Sequence, residues 1–219
     1  TDLSLIFEEF GKAIVVEPYL ANVVLAGGVL KRSNLENADE LIAGIVSGET
    51  QISLANYEPK KGFNLDNVDT TISSDGQING TKSTVLNAGN ADNFLVFGKS
   101  GDGYAFGLLN RSSDGVKVVN YKTYDGFVSG DLVLENCKCD AVFSAENALE
   151  ILEETILDAI VCVSSEAVGA MEKSYKLTIE YTQQREQFGQ SLSKFQPLQH
   201  RMVDKFMETE FTKSYQLKV

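Results

Sequence analysis

Along residues 1–49 the apolar positions recur at threes and fours. Leu3, Ile6, Phe7, Phe10 and Ile14 lay a stripe on one face of a first helix, which Asp2 or Ser4 can cap. Pro18 suits the first turn of a second helix, EPYLANVVLAGGVLKR, because proline lacks only an N–H that would be unpaired there. The adjacent Gly27 and Gly28 leave that helix bare on one side, open to a close neighbour. A third helix starts at Asn34 or Asn37 and ends at Gly48. From residue 50 the period shortens. QISLANY, VDTTISS, QINGTKSTVL, NFLVFGK, GYAFGLLN, GVKVVNY and SGDLVLEN read as short strands. Turn signals separate them, among them Asp75-Gly76, Asn79-Gly80, Asp102-Gly103, Asp114-Gly115 and Asp125-Gly126. Strands at such even spacing predict an antiparallel barrel or sandwich inserted between helices.

After residue 145 the helical period returns. EETILDAIVCVSSEAVGAMEKSYKLTIEYTQQR predicts one very long helix. From Ile156 to Met171 it is apolar or small nearly all round, which predicts burial with close neighbours. A further helix starts near Lys194, with Pro197 in its first turn and an apolar stripe of Phe195, Leu198, Met202, Val203 and Phe206. The expected class is therefore α+β: N-terminal helices over 1–49, a central antiparallel β-barrel or sandwich over 50–140, and long C-terminal helices over 141–219. The sequence opens without an initiator Met and closes inside a helical pattern, and it reads as a fragment of a longer protein.

Charge removes some function classes. The formal net charge is −12, which argues against a phosphate-backbone partner, since nucleic-acid binding needs concentrated Lys and Arg. The longest uncharged run, residues 18–30, falls short of the ~20 residues that span a bilayer, and no secretory signal is visible. Three cysteines make no even disulfide framework, and with His200 as the sole histidine they supply no metal-ligand spacing. No metal site is expected, and the cysteines read as reduced structural residues of a cytoplasmic protein.

The candidate chemistry lies in YTQQREQFGQSLSKFQPLQHRMVDKF, residues 181–206. A turn between two long helices carries a forked cation at Arg185, an aromatic ring at Phe188, a turn glycine at Gly189 and an amide at Gln196. Arg185 suits phosphate oxygens, and the free N–H groups that open the following helix favour an anion nearby. Phe188 and Gln196 suit a flat heterocycle, so a dinucleotide fits the mixture. A plain helix end, with Arg185 paired to a neighbouring carboxylate, fits the residues too.

The pattern Tyr181, Arg185, Gln187, Phe188, Gly189, Leu192, Phe195, Gln196, Gln199, Met202 and Asp204 resembles the first long helix pair of the acyl-CoA dehydrogenase C-terminal domain. The order of helices, strands and helices resembles that family as well, as does the small-residue segment EAVGAM at 166–171. The resemblance implies FAD as cofactor, with Arg185, Gln187, Phe188, Leu192, Phe195 and Gln196 contacting the flavin nucleotide of a neighbouring subunit. It also implies a tetramer, an acyl-CoA substrate, and electrons leaving to an electron-transfer flavoprotein. EEFGKAIVVEPYLANVVLAGGVL, ISLANYEPKKGFNLDNVDTTI and KFQPLQHRMVD look most like the pimeloyl-CoA dehydrogenase small-subunit type, which implies a homo- or heterotetramer.

The flavin-ring side departs from the family pattern. Glu58-Pro59 is in place, but Tyr57 replaces a hydroxyl residue and no Gly-Ser-Asp follows. Thr84, Val85 and Leu86 stand where the family carries Trp-Ile-Thr. The loop pair Lys60-Lys61 is a weak candidate for CoA phosphates. No catalytic base is assigned. The family's glutamate is expected beyond the C-terminal end, and Ala159 and Ile160 occupy the alternative base and substrate-arginine positions on the long helix. Two functions are therefore expected from the resemblance: an FAD-dependent acyl-CoA dehydrogenase, or a non-catalytic partner subunit lending FAD contacts across an interface.

Overall fold

Phe7 and Gly11 form the buried edge of helix α1, Asp2–Ala13, in a computed structural model that describes residues 2–216. The expected stripe is narrower than the sequence suggests: Phe7 is buried against Phe10, whereas Ile6 and Ile14 are exposed. Next comes a helix that begins as a wide π segment, Leu20–Ala26, and tightens into α2, Gly27–Arg32. Sequence periodicity predicts an ordinary helix throughout. The wide turn coincides with Asn22, whose Oδ1 accepts the Ile52 N–H at 3.1 Å, so this side chain caps the strand beside it. Helix α3, Ala38–Ser47, runs from Asn37 to Gly48 as its flanking residues predict.

Eight strands follow: β1 Ile52–Ala55, β2 Thr71–Ile72, β3 Gln77–Leu86, β4 Asn93–Ser100, β5 Gly103–Asn110, β6 Val116–Lys122, β7 Val128–Lys138 and β8 Ala141–Phe143. They form one sheet in the order β6-β7-β3-β2-β4-β5-β8, with β1 also on β4. The pairings are antiparallel as expected, except along one edge of β4. β1 and β2 share one edge of β4 and both run parallel to it. Long connections rather than hairpins lead from β1 and from β2 to β4, which permits the parallel sense. β4 is buried from Phe94 through Gly98, so both of its faces are covered, as an unbroken apolar run predicts. Phe94 and Val96 join Ile78, Val85, Leu109, Leu132 and Leu134 in one apolar cluster. Phe97, Phe106 and Phe143 meet in series, the first pair tilted and the second stacked, with ring centroids 5.4 and 5.6 Å apart.

Helix α4, Ala148–Gln184, is 37 residues long. A short hairpin follows, β9 Glu186–Gln187 with β10 Gln190–Ser191, then a 3-10 turn, Leu192–Lys194, and helix α5, Gln196–Gln216. The chain divides into two compact units: one takes Val16–Ala159, the other takes α1 and the chain from Ile160 onward. In the second unit α1 lies directly on the backbone of α4. Gly11 faces the carbonyl of Glu166 and Gly169 faces that of Glu8, each leaving no room for a Cβ. The small residues of α4 thus admit a neighbour as predicted. Burial all round does not follow, because Ile160 and Val163 are exposed. The same holds for the stripe on α5: Val203 and Phe206 are exposed, and Phe206 meets the edge of Tyr175, with centroids 6.0 Å apart.

Candidate functional site

The turn at 185–196 is more ordered than a plain connector. Arg185 donates its backbone N–H to Tyr181 at 2.8 Å, ending α4, and its carbonyl accepts the Leu192 N–H at 2.8 Å. Between these bonds the chain forms the β9–β10 hairpin, with Gln190 paired to Gln187 and Ser191 to Glu186. Phe188 and Gly189 take positive φ of 54° and 80°, the signs that a two-residue hairpin turn of mirror-image type demands. Gly189 adopts such a φ freely, whereas for Phe188 it is strained. The sequence reading missed the hairpin because its strands, Glu-Gln and Gln-Ser, carry no apolar alternation. The Phe-Gly pair was its only signal.

Phe188 is 92% exposed, its ring edge-on to Phe195 at 6.3 Å. Arg185 and Gln196 are exposed, and neither side chain is hydrogen-bonded or ion-paired among the described residues. The alternative of a paired arginine at a plain helix end therefore loses its support. Gln187 is exposed, its amide donating to its neighbour's carbonyl at 2.8 Å, and Leu192 is half-buried. The hairpin thus gathers a free guanidinium, an open amide and an exposed ring within one short turn, a set able to hold a phosphorylated heterocycle.

In the sheet unit the residues singled out for the ring side also lie close in structure. The Tyr57 carbonyl accepts the Ser83 N–H at 2.9 Å. β3 slips register between Lys82 and Val85, and at this bulge Thr84 takes a φ of 54° and donates its N–H to Asp131 at 3.0 Å. Thr84 is exposed, Val85 buried and Leu86 half-buried. Tyr57 meets the edge of Phe63, with centroids 5.9 Å apart.

Beneath this edge lies a pair that the sequence reading did not find. Lys82 is fully buried, and its ammonium meets Glu58 Oε1 at 2.8 Å. Burial pushes the Glu58 carboxyl up, but hydrogen bonds from Lys82, Thr70 and Asp69 outweigh it and hold the pKa down at about 2. Burial pushes Lys82 down to about 8, with Glu58 opposing. The available signal was parity: Ile78 and Lys82 share one face of β3, and Ile78 is core.

Other candidates are spoken for. Glu154 and Asp158, the acids near the Ala159 position, both bind Arg32, at 2.9 and 2.6 Å. Lys61 pairs with Asp69 at 2.8 Å and Asn67 at 3.2 Å, so it offers no free cation to a CoA phosphate. All three cysteines are buried and outside any disulfide, His200 is exposed, and no cluster of metal-ligating residues occurs among the described residues. Among these residues no helix is long and apolar enough to cross a membrane.

Residues 149–219 match the acyl-CoA dehydrogenase C-terminal domain. The fold is that of the acyl-CoA dehydrogenases: butyryl-CoA dehydrogenase from Megasphaera elsdenii superposes with a TM-score of 0.89 at 23% identity, covering 98% of this chain and 61% of that one. The FAD complex of PigA superposes with a TM-score of 0.91 at 20% identity, covering 99% of this chain and 62% of that one. Among curated proteins, the 3-(aryl)acrylate reductase of Clostridium sporogenes (strain ATCC 15579) is 25% identical over 94% of this chain and 58% of its own length. The chain thus spans rather more than half the length of these relatives. The resemblance drawn from residues 181–206 stands, by sequence in the C-terminal segment and by fold throughout.

Proposed function

We propose that the full-length protein is an FAD-dependent acyl-CoA dehydrogenase, converting an acyl-CoA thioester to its trans-2-enoyl product. The observation that carries this reading is the free Arg185 guanidinium on a hairpin with exposed Phe188 and open Gln196, inside the segment matched to the family. Arg185 would hold the pyrophosphate, with Gln187, Phe188, Leu192, Phe195 and Gln196 around the nucleotide. FAD supplies the two-electron acceptor, and an electron-transfer flavoprotein would take the electrons onward. The exposed apolar row Val203, Phe206, Phe211 and Tyr215 on α5 suits a homo- or heterotetramer, in which this hairpin serves a neighbour's cofactor. Under this reading 1–49 ends an N-terminal helical domain, 50–140 is the β-domain, and 141–219 begins the C-terminal helices. Thiols outside any disulfide suit the reducing cytoplasm.

A second reading is favoured by the ring side. Tyr57 and the half-buried, aliphatic Leu86 stand where hydroxyl donors are expected, and the chain has no tryptophan. On this reading the chain is a non-catalytic partner subunit that lends the hairpin to a flavin whose ring another chain holds. The visible flavin spectrum of the full-length protein separates the two. Stoichiometric flavin in the protein alone supports the first. Flavin that appears only with a partner dehydrogenase supports the second, and no flavin in either case overturns both. Turnover is to be assayed in both senses, desaturation and reduction.

A further inference from the structure

Glu58 and Lys82 do more than neutralise each other. Glu58 Oε2 accepts the Asp69 N–H at 2.7 Å and Oε1 accepts the Thr70 N–H at 2.9 Å. One carboxylate therefore ties the start of the β1–β2 connection to its end. The connection is fastened at further points as well: Lys61 binds Asp69, the Tyr104 hydroxyl donates to the Asp66 carbonyl at 2.8 Å, and Val68 is buried. The fastening is at its two ends, at Asp66 and at Val68; the stretch between is largely exposed, and Phe63 stands 88% exposed beside Tyr57. Lys82 also reaches the Asn56 carbonyl at 3.4 Å, and the next residue, Ser83, bonds Tyr57. The pair therefore joins the residue before Tyr57, the residue after it and the strand that bulges at Thr84. A buried ion pair is a poor source of stability, since an apolar pair of similar size commonly does as well. It is a good source of fixed geometry, because its partners must keep both charges satisfied.

We propose that Glu58 and Lys82 are positioning residues that hold Tyr57, the 58–70 loop and the Thr84 bulge as a preformed platform for the flat ring of the bound heterocycle. The inference rests on the flavin reading above. It adds that this surface is built before the ligand arrives and does not close upon it. Strained, bulged strands are frequent next to ligand sites, and a rigid second layer is what keeps such geometry in place.

The test uses the full-length protein, on the first reading above in which this chain holds the flavin ring, and a Glu58→Leu/Lys82→Met double variant. Amide hydrogen exchange is read over 58–70 and 81–86, without and with added FAD, alongside flavin affinity and fluorescence. In the wild type these segments should exchange slowly and equally with and without FAD. The double variant removes both charges together but leaves the Asp69 and Thr70 N–H groups without their acceptor, so it should fold and melt a few degrees below the wild type. It should exchange about tenfold faster at Asp69 and Thr70, and bind FAD about tenfold more weakly with brighter flavin fluorescence. Glu58→Gln, which keeps an acceptor and loses the charge, gives the same comparison if the double variant fails to fold. Protection that appears only on adding FAD, or wild-type exchange in the variants, overturns the platform. A wild type that takes up no FAD overturns the flavin reading instead, with the exchange difference intact.

Discussion

Gly11 on α1 packs against the main chain of Glu166 on α4, so closely that a methyl group there would overlap the Glu166 carbonyl. Gly169 repeats the arrangement toward Glu8, and the two contacts together set the crossing of the helices. In Gly11→Ala the helix-propensity gain of about 1 kcal/mol is set against a forced separation of two backbones. We expect a net loss of about 1–3 kcal/mol for Gly11→Ala and for Gly169→Ala, read as a lowered urea midpoint. Gly28→Ala is the control. Its Cβ would lie 3.0 Å from the Thr155 methyl group, a side-chain atom with some freedom, and the loss should be smaller. Equal midpoints for all three variants would refute the close crossing.

The Glu58–Lys82 pair gives stability a pH dependence of known sign. Glu58 titrates at about 2 in the folded chain, below its ordinary value of 4.5. Its contribution is therefore full above the unfolded value and is lost as the pH falls toward 2. The shift corresponds to roughly 3 kcal/mol, an upper figure for one carboxylate in a coupled pair. Urea unfolding between pH 6 and pH 2.5 should show this slope in the wild type, and Glu58→Gln should flatten it. A Glu58→Gln curve parallel to the wild type would place the acid sensitivity elsewhere.

The cysteines should be inert. Cys137 and Cys139 are buried, and burial pushes both thiols up, so neither a thiolate nor a path to it is available at neutral pH. Cys162 is closed off on α4. An alkylating reagent followed by peptide mapping should leave all three unmodified in the native protein and modify all three in urea. Rapid native labelling of Cys137 or Cys139 would contradict the packing of β7 and of the residue that follows it.

The fold was largely legible because its signals are local. The strands carry either a period-2 alternation or, as in β4, a short apolar run between turn residues, and the boundaries of α3 are written in Asn37 and Gly48. What escaped depends on distant partners. Nothing near β1 or β2 says that both run parallel to β4, because strand sense is decided by the connections between them. Lys82 reads as a surface lysine until parity with Ile78 is followed across Gly80 and a carboxylate is found at Glu58. The stripe on α5 was legible as apolar, yet burial depends on a packing neighbour, and among the described residues Val203 and Phe206 stay exposed. In the candidate site, the residue types around 185–196 pointed to a nucleotide, whereas the strain at Phe188 exists only in the folded turn.

That strain yields a prediction with opposite signs in two measurements. Phe188 holds a φ of 54° that Asn tolerates better, and Asn-Gly is the favoured pair for this hairpin turn. Phe188→Asn should therefore leave stability unchanged or raise it by up to about 1 kcal/mol, since the exposed ring gives up only its edge contact with Phe195. The same change removes the aromatic surface offered to the nucleotide, and FAD affinity should fall about tenfold in the full-length assembly. Arg185→Ala should cost about ten- to a hundredfold in affinity with no effect on melting, because the guanidinium has no partner among the described residues. Arg185→Lys should recover only part of the loss, as an ammonium cannot offer two parallel N–H groups. If Phe188→Asn stabilises the chain and leaves FAD affinity intact, then the strained phenylalanine is not kept for the cofactor, and the hairpin's role in binding reduces to Arg185 and Gln196.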